Sequence, residues 1–427
     1  METASHIAVN GSDIFNYMQR YVGSDNQIQV VLEIDGCLDE HRLWKAIRLS
    51  ASAEPVLGCR FVEHQEHPYW QPRADLDSIS WGSLLETQDR STAMDAWLSD
   101  LLDMDHDPMV KGCIIRAAGR DTLCLKINHT CSDVGGCIQY VHLLASLYQK
   151  LGVDPAYRPV PNLAERDQSK IFKQLGFTSD AWNTQQSPEP LGPGAPFTLG
   201  EAKYRRQSIR KIPMGTLTKL RDSLRQEGVT INDLVLAAYV RALYQHIGGT
   251  IEEPIRIIVT GDLRRYLPAQ QVHPLCNLSG IIHFHLEDRP VGTYQDTVRK
   301  VSAIMKRSKD NKMGLSRAAT FLEFLAQTEF SNVVKMMREA RERSVKSGKM
   351  SPILSNFGIM SPTTILFDNL EVTDAYIVTT AEYAPGLMLG ASTYRDWMTF
   401  CIAFFASNIA TSWVDALLDT VVSDLCG

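Results

Sequence analysis

The sequence predicts an α/β chain of two α/β sandwiches rather than one doubly wound sheet. Three observations lead there. The chain has 427 residues, more than one ordinary core organises, so two domains are expected. Residues 153–200 carry seven prolines, four of them in the run Ser187–Pro196, which cannot sustain a helix or a central strand. On either side, strand and helix patterns mix without the strict alternation of a doubly wound sheet. The expected division is a first lobe over 1–152, a connector over 153–200 and a second lobe over 201–427.

In the first lobe, Ile28 to Ile34 reads as a strand with a turn at Gly36. Asp39 offers an N-cap to a helix through Leu43, Ala46, Ile47 and Leu49. Val56 to Val62 reads as a strand and Ala93 to Leu102 as a helix. Val110 to Arg116 pairs with Thr122 to Ile127 as a hairpin across Gly119-Arg120. Cys137 to Tyr148 has the 3.6-residue spacing of a helix. Gln168 to Leu175 forms one short helix inside the connector.

In the second lobe, Pro213 to Glu227 reads as a helix with proline in its first turn. Thr230 caps the next, with Leu234 to Tyr244 as its body. Strands are expected at Pro254–Thr260, Gly280–Leu286, Ile353–Ile359, Ala375–Thr380 and Trp397–Phe405. Helices fill Thr293–Arg307, Ser316–Leu325, Asn332–Val345 and Ser407–Leu425.

Composition narrows the function. Hydrophobic residues make up 44% and charged residues 22%, an ordinary globular balance. The net charge of -6 gives no general attraction to nucleic acid or anionic lipid. The basic clusters Lys203-Tyr204-Arg205-Arg206 and Lys335 to Lys349 read as solvated faces. No stretch of about 18 apolar residues suggests a membrane span. Met1–His6 begins no signal peptide, and nine cysteines without a CxxC pair point to reduced thiols in a cytoplasmic protein.

The chemistry concentrates at Lys126-Ile127-Asn128-His129-Thr130-Cys131-Ser132-Asp133-Val134-Gly135-Gly136. His129 ends an apolar strand and precedes a glycine-led helix, so its backbone is held while its side chain can face a cleft. Imidazole titrates near neutrality and can take and return a proton, which makes His129 a candidate general base. Cys131 lacks the flanking signature of a cysteine nucleophile. His283 and His285 share a strand face but have no accompanying carboxylate cluster, so no metal site is expected. His142, His64 and His67 read as helix-surface and loop residues.

His129-x-x-x-Asp133-x-Gly135 resembles the hallmark of the acyltransferase superfamily of chloramphenicol acetyltransferase, peptide-synthetase condensation domains and plant-type BAHD enzymes. Glu54–Phe61, Thr230–Tyr239, Gly261–Pro268 and Cys276–Gly280 are similar to further family segments in the expected order. The resemblance implies a pseudo-dimer of two lobes with a channel between them. It implies acyl transfer from a thioester, on coenzyme A or a carrier protein, to a small-molecule hydroxyl or amine. His129 would be the general base, and Asp133 would position its loop through an ion pair with Arg264.

Oxyanion donors would come from Gly135 and Gly136, or from Ser355 and Asn356 in a segment resembling Ser-Asn-x-Gly. Neither a metal nor a bound cofactor is called for. The thioester is a co-substrate, any acyl carrier protein is a separate chain, and a monomer suffices. Asn128 stands where many condensation domains carry a second histidine, and the Asp-Phe-Gly-Trp-Gly signature of BAHD enzymes is absent, so a free-standing bacterial, archaeal or fungal type fits better. The alternative is a member that binds a carrier-linked substrate without catalysis, or condenses or cyclises it.

Overall fold

The computed structural model describes residues 6–174, 191–247, 254–267, 273–310, 315–360 and 365–427. Leu175, Ser187–Pro190 and Pro268, which figured in the expectations above, lie outside them. The first half contains β1 (Ile7–Ala8), α1 (Gly11–Val22), β2 (Gln27–Ile34), α2 (Glu40–Ala53), β3 (Cys59–Val62), β4 (Tyr69–Pro72), β5 (Gly82–Glu86), α3 (Arg90–Ser99), β6 (Val110–Ala117), β7 (Arg120–Asn128) and α4 (Val134–Val153). The connector contributes α5 (Ser169–Gln174). The second half runs β8 (Arg205–Pro213), α6 (Met214–Ser223), α7 (Ile231–Ile247), β9 (Ile255–Asp262), β10 (Ser279–Leu286), α8 (Tyr294–Asp310), α9 (Leu315–Gln327) and α10 (Phe330–Ser347). It ends with β11 (Ile353–Ile359), β12 (Leu366–Phe367), β13 (Leu370–Val378), β14 (Met388–Tyr394), β15 (Trp397–Phe405) and α11 (Thr411–Cys426).

Two six-stranded sheets carry the architecture, in the orders β12-β13-β2-β7-β6-β5 and β10-β9-β11-β14-β15-β8, beside a small β1-β4-β3 sheet. The β6–β7 hairpin turns through Ala118 and Gly119, both at positive φ (51° and 75°). Such a turn matches the twist of the flanking strands. Ile28, Val30, Leu32 and Ile34 of β2 face the first core with α2 and α4. On the other face the glutamines are paired rather than wet: Gln29 Nε2 donates to the Leu98 carbonyl at 2.8 Å, and Gln27 Oε1 accepts from Leu102 N at 2.9 Å. Helix starts follow the capping rules. Asp39 accepts from Arg42 N at 3.0 Å, and Thr230 and Asp233 form a reciprocal capping box.

Three expectations change. Val56–Val62 is not one strand: Pro55–Gly58 forms a 3₁₀ turn before β3, because proline presets the turn and lacks the strand's N–H. Strand β8 fills a stretch for which no element was expected, and Arg205 within it is buried with 0% side-chain exposure rather than solvated. The boundary of the second lobe is also crossed. Strand β13 pairs antiparallel with β2, Tyr376 opposite Val31, so Leu366–Val378 completes the sheet of the first half. A shared core follows, in which Val31, Cys113 and Cys124 pack with Tyr376, Cys401 and Phe405. No described helix is long and apolar enough to cross a membrane.

Candidate active site

His129 sits one residue past β7, where the strand has just lost its β2 partner. Its own N–H donates to the Asn26 carbonyl at 2.9 Å. Asn26 adopts a left-handed φ of 54°, which asparagine tolerates, and its side-chain amide donates to Thr130 Oγ1 at 2.9 Å. Asn128 closes the turn from inside, accepting from Thr130 N at 3.0 Å through Oδ1. The second half and the connector hold the same loop. Asn277 Nδ2 donates to the Thr130 carbonyl at 2.9 Å, and Arg166 Nη2 to the Cys131 carbonyl at 3.0 Å. The Thr130 and Cys131 carbonyls of this short loop are thus held by buried residues from elsewhere in the chain.

Asp133 has two structural tasks, and neither is a hydrogen bond to the imidazole. As N-cap of α4, its Oδ1 accepts from Gly136 N at 2.9 Å. The carboxylate also meets Arg264 in a two-pronged pair, at 2.9 Å and 3.1 Å. Leu278 N at 2.7 Å and Ser279 Oγ at 3.0 Å complete its contacts. Burial presses its pKa upward, but the Arg264 charge and these hydrogen bonds outweigh it and hold the carboxyl below its ordinary value. Arg264 also donates to the Cys276 carbonyl at 3.0 Å. Among the described residues, none of the Asp133 hydrogen bonds runs to His129.

The two glycines after Asp133 answer to Arg264 rather than to an open approach. A Cβ at Gly135 would lie 2.4 Å from Arg264 Nη1, and one at Gly136 would lie 2.0 Å from Ser132 Oγ. Because the Gly136 N–H is bonded to Asp133, it is not available to an oxyanion, which corrects the expectation for that residue. Ser355 lies on β11, 8% exposed, with its hydroxyl 2.7 Å from Thr260 Oγ1. Asn356 Oδ1 accepts from Gly358 N at 3.0 Å, across a bulge where Gly358 takes φ 72°. None of the described hydrogen bonds joins Ser355 or Asn356 to the His129 loop.

The imidazole is half-buried. Burial lowers its pKa, while its own carbonyl, the Asp133 charge and the Asn277 side chain push the other way without overcoming it. The ring is therefore neutral at physiological pH. Its Nδ1 is buried without a geometric hydrogen-bond partner, and so is Asn277 Oδ1. Cys131 is fully buried, bonded through Sγ to the Asn128 carbonyl, with its thiol pushed up to about 12 by burial, so it carries no thiolate. His283 is half-buried and His285 exposed, the latter 3.4 Å from Glu287. No group of three or more metal-ligating side chains gathers among the described residues.

A cavity of about 860 Å³ opens between the halves, with Ser12, Glu54, Arg166, Gln168, Pro274 and Leu322 in its wall. His129 is not among its lining residues. Arg166 separates the two: it lines the cavity, is bound two-pronged to Asp13 at 2.8 and 3.1 Å, and reaches the loop through Cys131. Arg166, Asp13 and Asn26 were invisible to sequence reasoning. A single arginine in a proline-rich connector carries no local signal, and its partner lies 153 positions away.

A family model described as "Condensation domain" matches residues 22–250. No curated protein matches the sequence. Among solved structures, the trichothecene 15-O-acetyltransferase TRI3 from Fusarium sporotrichioides superposes with a TM-score of 0.69 at 14% identity, covering 100% of this chain and 96% of that one. The first condensation domain of the CDA synthetase gives 0.64 at 15%, covering 100% and 97%. Polyketide synthase associated protein 5 from Mycobacterium tuberculosis gives 0.66 at 15%, covering 99% and 98%. The family match spans more than half of the chain and the shared fold spans all of it: the protein belongs to the condensation-domain family.

Proposed function

We propose that the protein transfers an acyl group from a thioester to a hydroxyl or amine of a small molecule, with His129 as general base. One observation carries this reading. A neutral imidazole, lowered in pKa by burial, stands on a loop fixed from both halves, while the nearby carboxylate is fully engaged by Arg264 and the helix start. That arrangement suits a base working alone rather than a charge-coupled triad.

In the proposed step, His129 takes the proton of the acceptor as its oxygen or nitrogen bonds to the thioester carbonyl carbon. The tetrahedral intermediate then collapses, the carbon–sulfur bond breaks, and the imidazolium returns the proton to the leaving thiolate. The oxyanion needs a donor, and the Ser355 hydroxyl is our candidate. Asp133 and Arg264 position the loop. Donors on coenzyme A and on a separate carrier protein both fit this scheme.

The test is thiol release from a panel of acyl-CoA and acyl-pantetheine thioesters with pooled hydroxyl and amine acceptors. Acceptor-dependent release is expected, falling roughly 10²–10⁴-fold in His129→Ala with unchanged melting. Release that is equal in the two proteins would refute the role of His129.

A further inference from the structure

The 860 Å³ cavity beside the His129 loop has the size of a small-molecule site, roughly 300–1,000 Å³, and its chemistry is selective. The cation in its wall, Arg166, and the buried carboxyl of Glu54 are already committed. Arg166 gives four of its five N–H groups to Asp13 and to the Cys131 and Leu275 carbonyls, and the Asp13 carboxylate balances its charge. The carboxyl oxygens of Glu54 accept from Asn162 Nδ2 at 2.9 Å and from Leu275 N at 3.0 Å. A phosphate or carboxylate would find no uncommitted cation in these residues.

Gln168 is the exception in the wall. It is 3% exposed, and its side-chain nitrogen and oxygen are both buried without a hydrogen-bond partner. No other residue lining the cavity has such an orphaned atom, among the described residues. Its backbone is fixed, because its carbonyl accepts from Ile171 N at 2.9 Å at the start of α5. The terminal torsion of a glutamine is broad, so the carboxamide can turn toward an occupant at little cost. The wall also carries the apolar side chains of Phe172, Pro274, Ala319 and Leu322.

We infer that this cavity binds a neutral, largely apolar small molecule presenting an N–H donor and a C=O acceptor side by side, as a lactam or primary amide does. Gln168 pairs with both groups at once, and the apolar side chains take the body. The occupant lies behind the His129 loop and touches it through Arg166, not through His129. The site therefore stands independently of the acyl-transfer reading.

The experiment is a fluorescence titration of the full chain with phenanthridin-6(5H)-one, a rigid tricyclic lactam, and with its N-methyl derivative, which lacks the donor. Saturable binding of the lactam is expected, with the N-methyl compound at least about tenfold weaker. That gap should close in Gln168→Leu, and Ala319→Trp should abolish binding by filling the cavity. If Gln168→Leu melts too low to titrate, the two ligands on the natural sequence and the Ala319→Trp variant still decide. No saturable binding, equal affinities for the two ligands, a gap that persists in Gln168→Leu, or binding unaffected by Ala319→Trp would overturn the assignment.

Discussion

Two buried Asp–Arg pairs tie the first half of the chain to the second, and they do different work. Asp133–Arg264 lies at the His129 loop, with side-chain exposures of 2% and 12%. Asp25–Arg205 lies between the sheets, with both side chains at 0% and a contact of 2.6 Å. Arg205 also donates to the Leu98 and Thr379 carbonyls at 2.9 Å each, and Asp25 accepts from Ala381 N at 2.9 Å. This second pair thus staples α3, β8 and the chain after β13 around a shared core. The first orients a loop and the second holds the halves in register. The same chemistry serves position in one place and architecture in the other.

That contrast makes the largest prediction a structural one. Asp25→Ala leaves Arg205 enclosed and unpaired, and is expected to cost roughly 3–5 kcal/mol of stability, read by chemical denaturation. Asp133→Ala should cost less, because Arg264 keeps Asp262 at 3.2 Å and some solvent, yet it should depress acyl transfer beyond what its stability loss explains. If the two variants melt alike and Asp133→Ala retains full turnover, the division of labour fails. A conservative Arg264→Lys variant sharpens the point. Lysine cannot reproduce the two-pronged contact, so turnover should fall while melting moves only slightly.

The smallest effect is expected at Ser355. Its hydroxyl already has Thr260 as a partner, so Ser355→Ala should leave melting within about 1 kcal/mol of the parent. If the hydroxyl stabilises the oxyanion, kcat should fall by roughly 10²-fold or more. Unchanged kcat would remove Ser355 from the site.

What could be read in advance follows the range of the interactions. The β6–β7 hairpin, the Asp39 and Thr230 caps and the periodicity of α4 and α7 depend on neighbours a few residues apart, and each stands in the structure. Strand β8 escaped because Arg205-Arg206-Gln207-Ser208 looks like a solvated surface until Asp25, 180 positions earlier, neutralises Arg205. The crossing of β13 into the first sheet escaped for the same reason: its partner β2 is more than three hundred residues away. In the site, the spacing of His129 and Asp133 and the Arg264 segment were legible as a motif. The grip of Asn26, Arg166 and Asn277 on the loop was not, because each acts through backbone carbonyls or side chains that no spacing reveals. Gly135 and Gly136 were read as oxyanion donors, whereas close packing against Arg264 and Ser132 is what requires glycine there.

The central claim is that a desolvated, neutral imidazole at position 129 is the base, and the pH dependence of kcat/KM for acyl transfer tests it most directly. Burial lowers the His129 pKa, so the base form persists below the ordinary imidazole value of about 6.5. Activity should fall only as pH drops through that lowered value, and this acid limb should vanish with His129→Ala. An acid limb at or above the ordinary value, or one that survives the substitution, would contradict the account.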